Sequence, residues 1–386
     1  MELTRTTITR RAVMGAAIGA GVACSMGSRV ARAADDDLPE VTAPVLKPSD
    51  DLGEIQRFAP PTMRSTGPRL IFIDDPEGID EQVPLPSVLY RDTSVGWTRV
   101  MTHQQNQLDD PVVVETTVTN ISAEPVDLWQ RHRGVGISTY PAVAGQLSSR
   151  DFVSGPAGVT KVATLQPGEI WRDGDTVDPM ITKSALWDLR TSRVGAPESD
   201  VPVLYGAVVA TPGATVDPVA APIAPAGKHV RATFEHADRS SMIKVDLRRG
   251  NQQIAFNGPG DPESPWYDPD QAIDGQYVLG ADAVDGDRPA LNNGNYAALY
   301  DLRIALTAEA QTPPTGIWIR PSGGAGNHVN VVNDFVNVSP YVRPEQAWLI
   351  GVVDDPLHDP RQRILLNLTG GSSGAQQLIF TPGITE

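Results

Sequence analysis

Six histidines are the first residues to test for chemistry: His103, His132, His229, His236, His328 and His358. None stands two or four residues from another, so no strand or helix face presents a ready pair of metal ligands. They read as scattered surface or loop histidines, with a site arising only where distant ones meet in space. Two acidic stretches are richer. Asp173, Asp175 and Asp178 share one short polar segment, and Asp282, Asp285 and Asp287 share another. Calcium takes about six to eight hard oxygen ligands, which clustered carboxylates and carbonyls can supply. Neither segment has EF-hand spacing, so solvated turns are the plainer reading and calcium is the alternative. Gly370-Gly371-Ser372-Ser373-Gly374 has the spacing of a nucleophile elbow. An elbow needs a following helix, whereas Gln377–Thr381 reads as a strand, and too little chain remains for the acid and base partners. A hairpin loop explains the segment better. Trp266 and Tyr267, in a long polar stretch, are candidates to stack on a sugar or polymer; the competing reading is a lid folded over a sandwich edge. Asn295 and Tyr296 close an Asn-rich turn whose amides could hydrogen-bond a ligand. Phosphate loops, dinucleotide fingerprints and basic stripes are absent, which argues against nucleotide and nucleic-acid functions.

The elements that would position these residues begin after an export signal. Arg10 and Arg11 precede an apolar run, Ala12 to Ala23, and Ala31-Arg32-Ala33 reads as the cleavage site. The paired arginines, the weakly hydrophobic Gly/Ala run and the basic residues near the cleavage site favour the twin-arginine route, which carries folded proteins. A lipoprotein cut before Cys24, the only cysteine, is the minor alternative. The mature chain then has neither disulfide nor thiol chemistry. The apolar run falls short of the ~18 residues that span a bilayer. Net charge is -16, and removing the signal makes the chain more acidic still. Such a surface repels phosphate backbones and anionic lipid.

With Gly 35 and Pro 34 against no extended helical stripe, the chain predicts many short strands. Residues 34–67 are acidic and Pro-rich and read as an extended or disordered spacer. Residues 68–210 form a first β-sandwich domain, whose clearest signal is the β-branched run Val112–Thr119, a polar turn and a second run from Val126. Residues 211–227 are a Pro/Ala linker, and residues 228–386 a second sandwich with strands expected at 230–234, 242–247, 297–306, 316–319, 329–332, 348–353, 364–368 and 377–381. The fold class is mostly β: two immunoglobulin-like or jelly-roll-like sandwiches.

Several segments carry a family resemblance. Leu89-Tyr90-Arg91-Asp92-Thr93, His103-Gln104-Gln105-Asn106, Thr119-Asn120-Ile121-Ser122, Asn293-Gly294-Asn295-Tyr296 and Pro321-Ser322-Gly323-Gly324 resemble secreted bacterial β proteins. Members of that group are often labelled as carrying a copper amine oxidase N-terminal, stalk-type domain. The resemblance covers roughly residues 68–382 and is to the region after the stalk, whose role is unknown. It does not imply the oxidase activity. Asn295-Tyr296-Ala297 lacks the acid that follows a quinone-forming tyrosine, and no His-x-His occurs.

The expectation is an exported, non-catalytic surface or matrix protein acting by protein or polymer interaction. A carbohydrate-binding protein is the second reading and a metal-dependent extracellular enzyme the third. No cofactor is expected beyond possible calcium. A surface polymer, glycan or surface protein is the partner class, with the twin-arginine translocase engaged during export.

Overall fold

The computed structural model describes residues 45–58, 61–155, 158–256, 279–292, 294–321, 326–371 and 376–386. The protein is mostly β, as its composition predicts, and the described strands form four sheets, packed in pairs over two main cores as two sandwiches. The expected export signal, with Arg10, Arg11, Cys24, Ala31 and Ala33, lies outside the described residues, as do Trp266, Tyr267 and the middle of the 370–374 loop.

The first sandwich pairs a four-stranded sheet with a ten-stranded one. The smaller runs in the order Ile170–Val177, Val112–Thr119, Val203–Ala210, Ser87–Ser94. Its inward positions alternate as strand geometry requires: Val112, Val114 and Val118 on one strand, Val203, Tyr205, Ala207 and Val209 on the next. The larger sheet places Thr182–Arg193 between Val126–Ser138 and Thr98–Asn106, then continues through Arg69–Ile73 and Arg231–Phe234 to the hairpin Leu279–Asp282 and Arg288–Leu291. Arg69–Ile73 runs parallel to Thr98–Asn106 and is buried on both faces. Ile71 and Ile73 enter the sandwich core, while Leu70 and Phe72 face the opposite way into a second cluster with Met101, Phe152 and Phe234. Burial on both sides explains why that strand reads as a continuous apolar run.

The second sandwich is built from two six-stranded sheets. One runs Leu46–Pro48, Gln346–Val353, Thr315–Pro321, Gln376–Pro382, Gln252–Phe256, Gln56–Arg57. The other, hereafter the cleft sheet, runs Phe335–Val338, Val329–Val332, Arg361–Asn367, Leu299–Thr307, Asp238–Asp246, Arg64–Thr66. Between them lie Ile243, Val245, Leu302, Ile304, Ile319, Trp348, Ile364 and Phe380.

Three sequence expectations need correction. Residues 46–66, within the presumed spacer, supply three edge strands of the second sandwich. Segment 211–227 does not stand free: it lies along the strand Ser87–Ser94, with a Val88–Ile223 bridge and with Val216 and Ala224 buried. Asp75 fixes its far end by accepting the backbone N–H groups of Gly227 and His229. Nor does that segment divide the sheets, since the ten-stranded sheet takes strands from both sides of it.

The third correction is a helix, Pro141–Ser154, which no apolar stripe announces. Proline at its first turn is compatible with helix entry, and its buried face is made of small or polar residues: Ala144, Gly145, Gln146, Ser148 and Ser149, with Phe152 at the end. Small residues are needed because backbones touch on both sides. A Cβ on Gly134 would lie 1.8 Å from the Ser148 carbonyl oxygen, and one on Gly145 would lie 2.1 Å from that of Gly370. The helix is thereby clamped between the ten-stranded sheet and the second sandwich. Gln146 completes the clamp: its Nε2 donates to the carbonyls of His328 and Ser339, and its Oε1 accepts from Asn327 Nδ2. Gly134→Ala is expected to cost about 1–3 kcal/mol through overpacking, read as a lower urea midpoint. An unchanged midpoint would mean that the helix is not seated on that strand.

Candidate functional site

A β-strand shows alternate residues to opposite faces, so the cleft sheet has a second surface directed away from its own core. On it stand Arg64 and Thr66, then Asp238, Ser240 and Met242, then Leu299, Asp301 and Arg303, then Arg363 and Leu365. The registers put Ser240 beside both Arg64 and Asp301, and Arg303 directly opposite Arg363. Phe152 and Val153 from the helix and His132 from the ten-stranded sheet complete a cleft of about 670 Å³. A volume of that size suits a small ligand or a short polymer segment.

A network of ion pairs on the ten-stranded sheet reaches the cleft through Asp238. Arg99 Nε donates to Asp188 at 2.8 Å and its NH2 to the other Asp188 oxygen at 3.2 Å. Its NH1 reaches Asp238 on the cleft sheet and the Ala297 carbonyl. Arg131 adds a second cation to Asp188 at 2.9 Å. The guanidinium of Arg99 also lies over the Phe152 ring, 4.8 Å from its centre. Burial pushes the Asp188 carboxyl up, but Arg99 and then Arg131 outweigh it and hold it below the usual carboxylate range. For Asp238 burial wins over Arg99, and its carboxyl is raised. Opposed shifts in two carboxylates sharing one arginine follow from their partners: Asp188 has two cations and Asp238 has one.

At the outer side of the cleft, Asp301 accepts from Arg363 Nε at 3.0 Å and NH2 at 3.2 Å, a two-point contact. Arg303 and Arg64 are exposed, and among the described residues neither has a carboxylate in ion-pair range. His132 packs against Phe152, 5.2 Å between ring centres, with Nδ1 buried and without a partner. Burial lowers its pKa, so the ring is neutral near pH 7.

Of the residues singled out from the sequence, His132 lines the cleft, while the described acidic and Asn-Tyr candidates lie elsewhere. Asp173 pairs with Arg133 and Asp175 with the buried Lys183. Asp282 is fully buried against Arg231, and Asp285 meets Arg288. Asp287 occupies a left-handed turn position, and Asp178 follows the strand that carries the other two. Among the described residues, no three His, Cys, Asp or Glu side chains come together to hold a metal ion. Asn295 and Tyr296 serve the junction between the sandwiches. Asn295 Nδ2 donates to the Tyr300 hydroxyl, and Tyr296 stacks on Phe72 at 6.4 Å, its hydroxyl pushed up to about 12 by burial.

His103 and His328 are buried instead of exposed. Neither His103 ring nitrogen has a partner, and His328 has one contact, from Nδ1 to Gln376, leaving Nε2 without one. Burial lowers each to about 4. Arg64, Arg303 and Arg363 do not stand out in the sequence, because single arginines on polar strand positions look like ordinary solvated faces. The available signal was charge at alternate positions in otherwise apolar strands, as in Leu299-Tyr300-Asp301-Leu302-Arg303.

No family model and no curated protein matches the chain. Among solved structures it is similar to Lac15 from a marine microbial metagenome, at 13% identity over 86% of this chain, with a TM-score of 0.15. The chain spans 66% of the length of Lac15. It is also similar to the exported protein XepA of PBSX, at 8% identity over 79% of this chain and 88% of that one, with a TM-score of 0.16. The ANXUR2 extracellular domain from Arabidopsis thaliana gives 10% identity over 82% and 96%, with a TM-score of 0.17. Likenesses at these scores carry no argument about function.

Proposed function

We propose that this is an exported, non-catalytic binding protein that seats its ligand in the cleft between the cleft sheet and the helix Pro141–Ser154. The observation that carries the reading is the state of the two cleft carboxylates. Asp238 is tied to Arg99, and Asp301 is held at two points by Arg363. A carboxylate occupied in this way is poorly placed to act as a general base. What the lining does offer is apolar surface from Leu299, Leu365, Met242 and Val153, with hydroxyl and guanidinium groups around it. Apolar area with a few directed polar groups is the usual makeup of a binding pocket. Export rests on the paired arginines and cleavage site at the start of the chain. Among the described lining residues Phe152 is the one aromatic besides His132, and it is buried, so they offer no exposed aromatic platform for a neutral sugar.

The test is to fill the cleft. Ser240→Trp puts a large ring on the outward face of its strand, away from the core formed by Ile243 and Val245. Wild type and variant would be compared for melting temperature and for retention on an array of surface polysaccharides and polymers. The expected result is an unchanged melting temperature with retained features lost. Equal retention by the two forms, or none by wild type, would overturn the reading.

A further inference from the structure

We propose that the ligand of this cleft is an acidic saccharide, a polyhydroxylated ring carrying a carboxylate, recognised through Arg303 and Arg64. The proposal rests on the cleft-binding reading above and names the ligand's chemistry.

The first support is an unfavourable placement within the sheet. Arg303 and Arg363 are direct partners across two antiparallel strands and point to the same face. Like charges placed directly opposite one another destabilise a sheet. Asp301 relieves only half of this, because both of its oxygens are given to Arg363. Arg303 is left as a surplus cation, and so is Arg64, two strands away, with Met242 beside Arg303 and Ser240 beside Arg64 on the strand between. A chain with net charge -16 keeps these guanidiniums on one wall of its cleft. Local rules of this kind are broken most often where a ligand compensates. A guanidinium fork matches a carboxylate at two points, which is the contact Asp301 already makes with Arg363.

The second support is the rest of the lining. Ser240 presents a hydroxyl beside Arg64, Thr66 adds a second one further along the edge strand, and the His132 ring closes the end of the cleft. Hydroxyl-rich ligands need such donors and acceptors, while Leu299 and Leu365 offer apolar contact to a sugar ring's C–H face. Together these groups suit a ring that is part apolar, part hydroxylated and singly charged, better than a bare inorganic anion.

The test uses calorimetry with three probes: tri-galacturonate, its fully methyl-esterified form, and a sulfated trisaccharide. Wild type is expected to bind the free acid and to lose affinity as salt screens the pair. The ester is expected to bind at least tenfold more weakly. Arg303→Gln and Arg64→Gln should each weaken the acid by roughly ten- to a hundredfold, the span of one charge-assisted contact. Arg303→Lys should recover part of this, since it keeps the charge without the fork. The melting temperature of Arg303→Gln should be equal or higher, because the like-charge opposition is gone.

Stronger binding of the sulfated probe would overturn the carboxylate assignment. Equal binding of acid and ester, or an Arg303→Gln protein that is less stable and binds normally, would overturn the role of the arginines. If none of the three probes binds while Ser240→Trp still abolishes retention on the polymer array, this proposal fails and the cleft reading survives.

Discussion

Asp188→Ala is expected to destabilise the protein by about 3–5 kcal/mol, the cost of removing one member of a buried charge group and leaving its partners behind. Asp188 is fully buried and holds two cations at once, Arg99 at 2.8 Å and Arg131 at 2.9 Å. Arg99 is itself 1% exposed and cannot turn to water once Asp188 is gone. Asp238 would be its sole remaining carboxylate, and that group already feels the cost of burial. Urea unfolding would read the loss as a lower midpoint with an unchanged slope. Asp188→Asn should cost less, because the amide oxygen can still accept one hydrogen bond. Arg99→Met together with Asp188→Leu and Asp238→Leu should recover part of the loss, since apolar replacement of a whole buried charge group is often neutral and the partly exposed Arg131 can turn to water. A drop below about 1 kcal/mol for Asp188→Ala would mean that Asp238 suffices to hold Arg99.

Acid is the second large effect. His103 and His328 are lowered from an ordinary value near 6.5 to about 4 in the folded protein, chiefly by burial, with His229 adding to the shift at His103. A depressed folded value means that the stability tied to each ring is complete above about 6.5 and is lost as pH falls towards 4. Each ring then carries a linkage of order 3 kcal/mol, so the urea midpoint should drop steeply between pH 7 and pH 4. Two carboxyls work against this trend. Asp74 is raised by burial and by Glu77 and Asp75, and Asp238 is raised by burial; both favour the folded state as they take up protons. His103→Leu is the informative variant, because neither ring nitrogen has a partner to lose. It should flatten the acid limb by about half while leaving the protein folded at pH 7. An acid limb identical to wild type would show that His103 is not a source of acid lability.

Much of the sheet structure was legible because core strands carry their own period. Val112–Thr119, Val203–Ala210 and Val329–Val332 are rich in β-branched residues and stand where the sequence puts them. The edge strands were not legible. Gln56–Arg57 and Arg64–Thr66 are too short to show alternation, and the strands they pair with, Gln252–Phe256 and Asp238–Asp246, lie far along the chain. The helix Pro141–Ser154 was hidden for a different reason. Backbone contact at Gly134 and Gly145 requires small residues where an amphipathic helix would show leucine or isoleucine. The cleft was hidden most deeply, since Arg64, Ser240, Arg303 and Arg363 become neighbours only through register across four strands. Registry between distant segments is not encoded in any local window.

The order in which the second sandwich is assembled has a consequence for synthesis. Leu46–Pro48 emerges from the ribosome early, yet its partner strand, Gln346–Val353, is made about 300 residues later. At roughly 5–20 residues per second, that strand waits about 15–60 s for its neighbour. Gln56–Arg57 and Arg64–Thr66 wait in turn for Gln252–Phe256 and Asp238–Asp246. Closure between such distant segments is slow, and until it occurs the sheet edges stay open to other chains. The second sandwich therefore finishes folding after translation of its last strands, however early its first ones appear. A transport route that admits only finished folds would not take this chain before then.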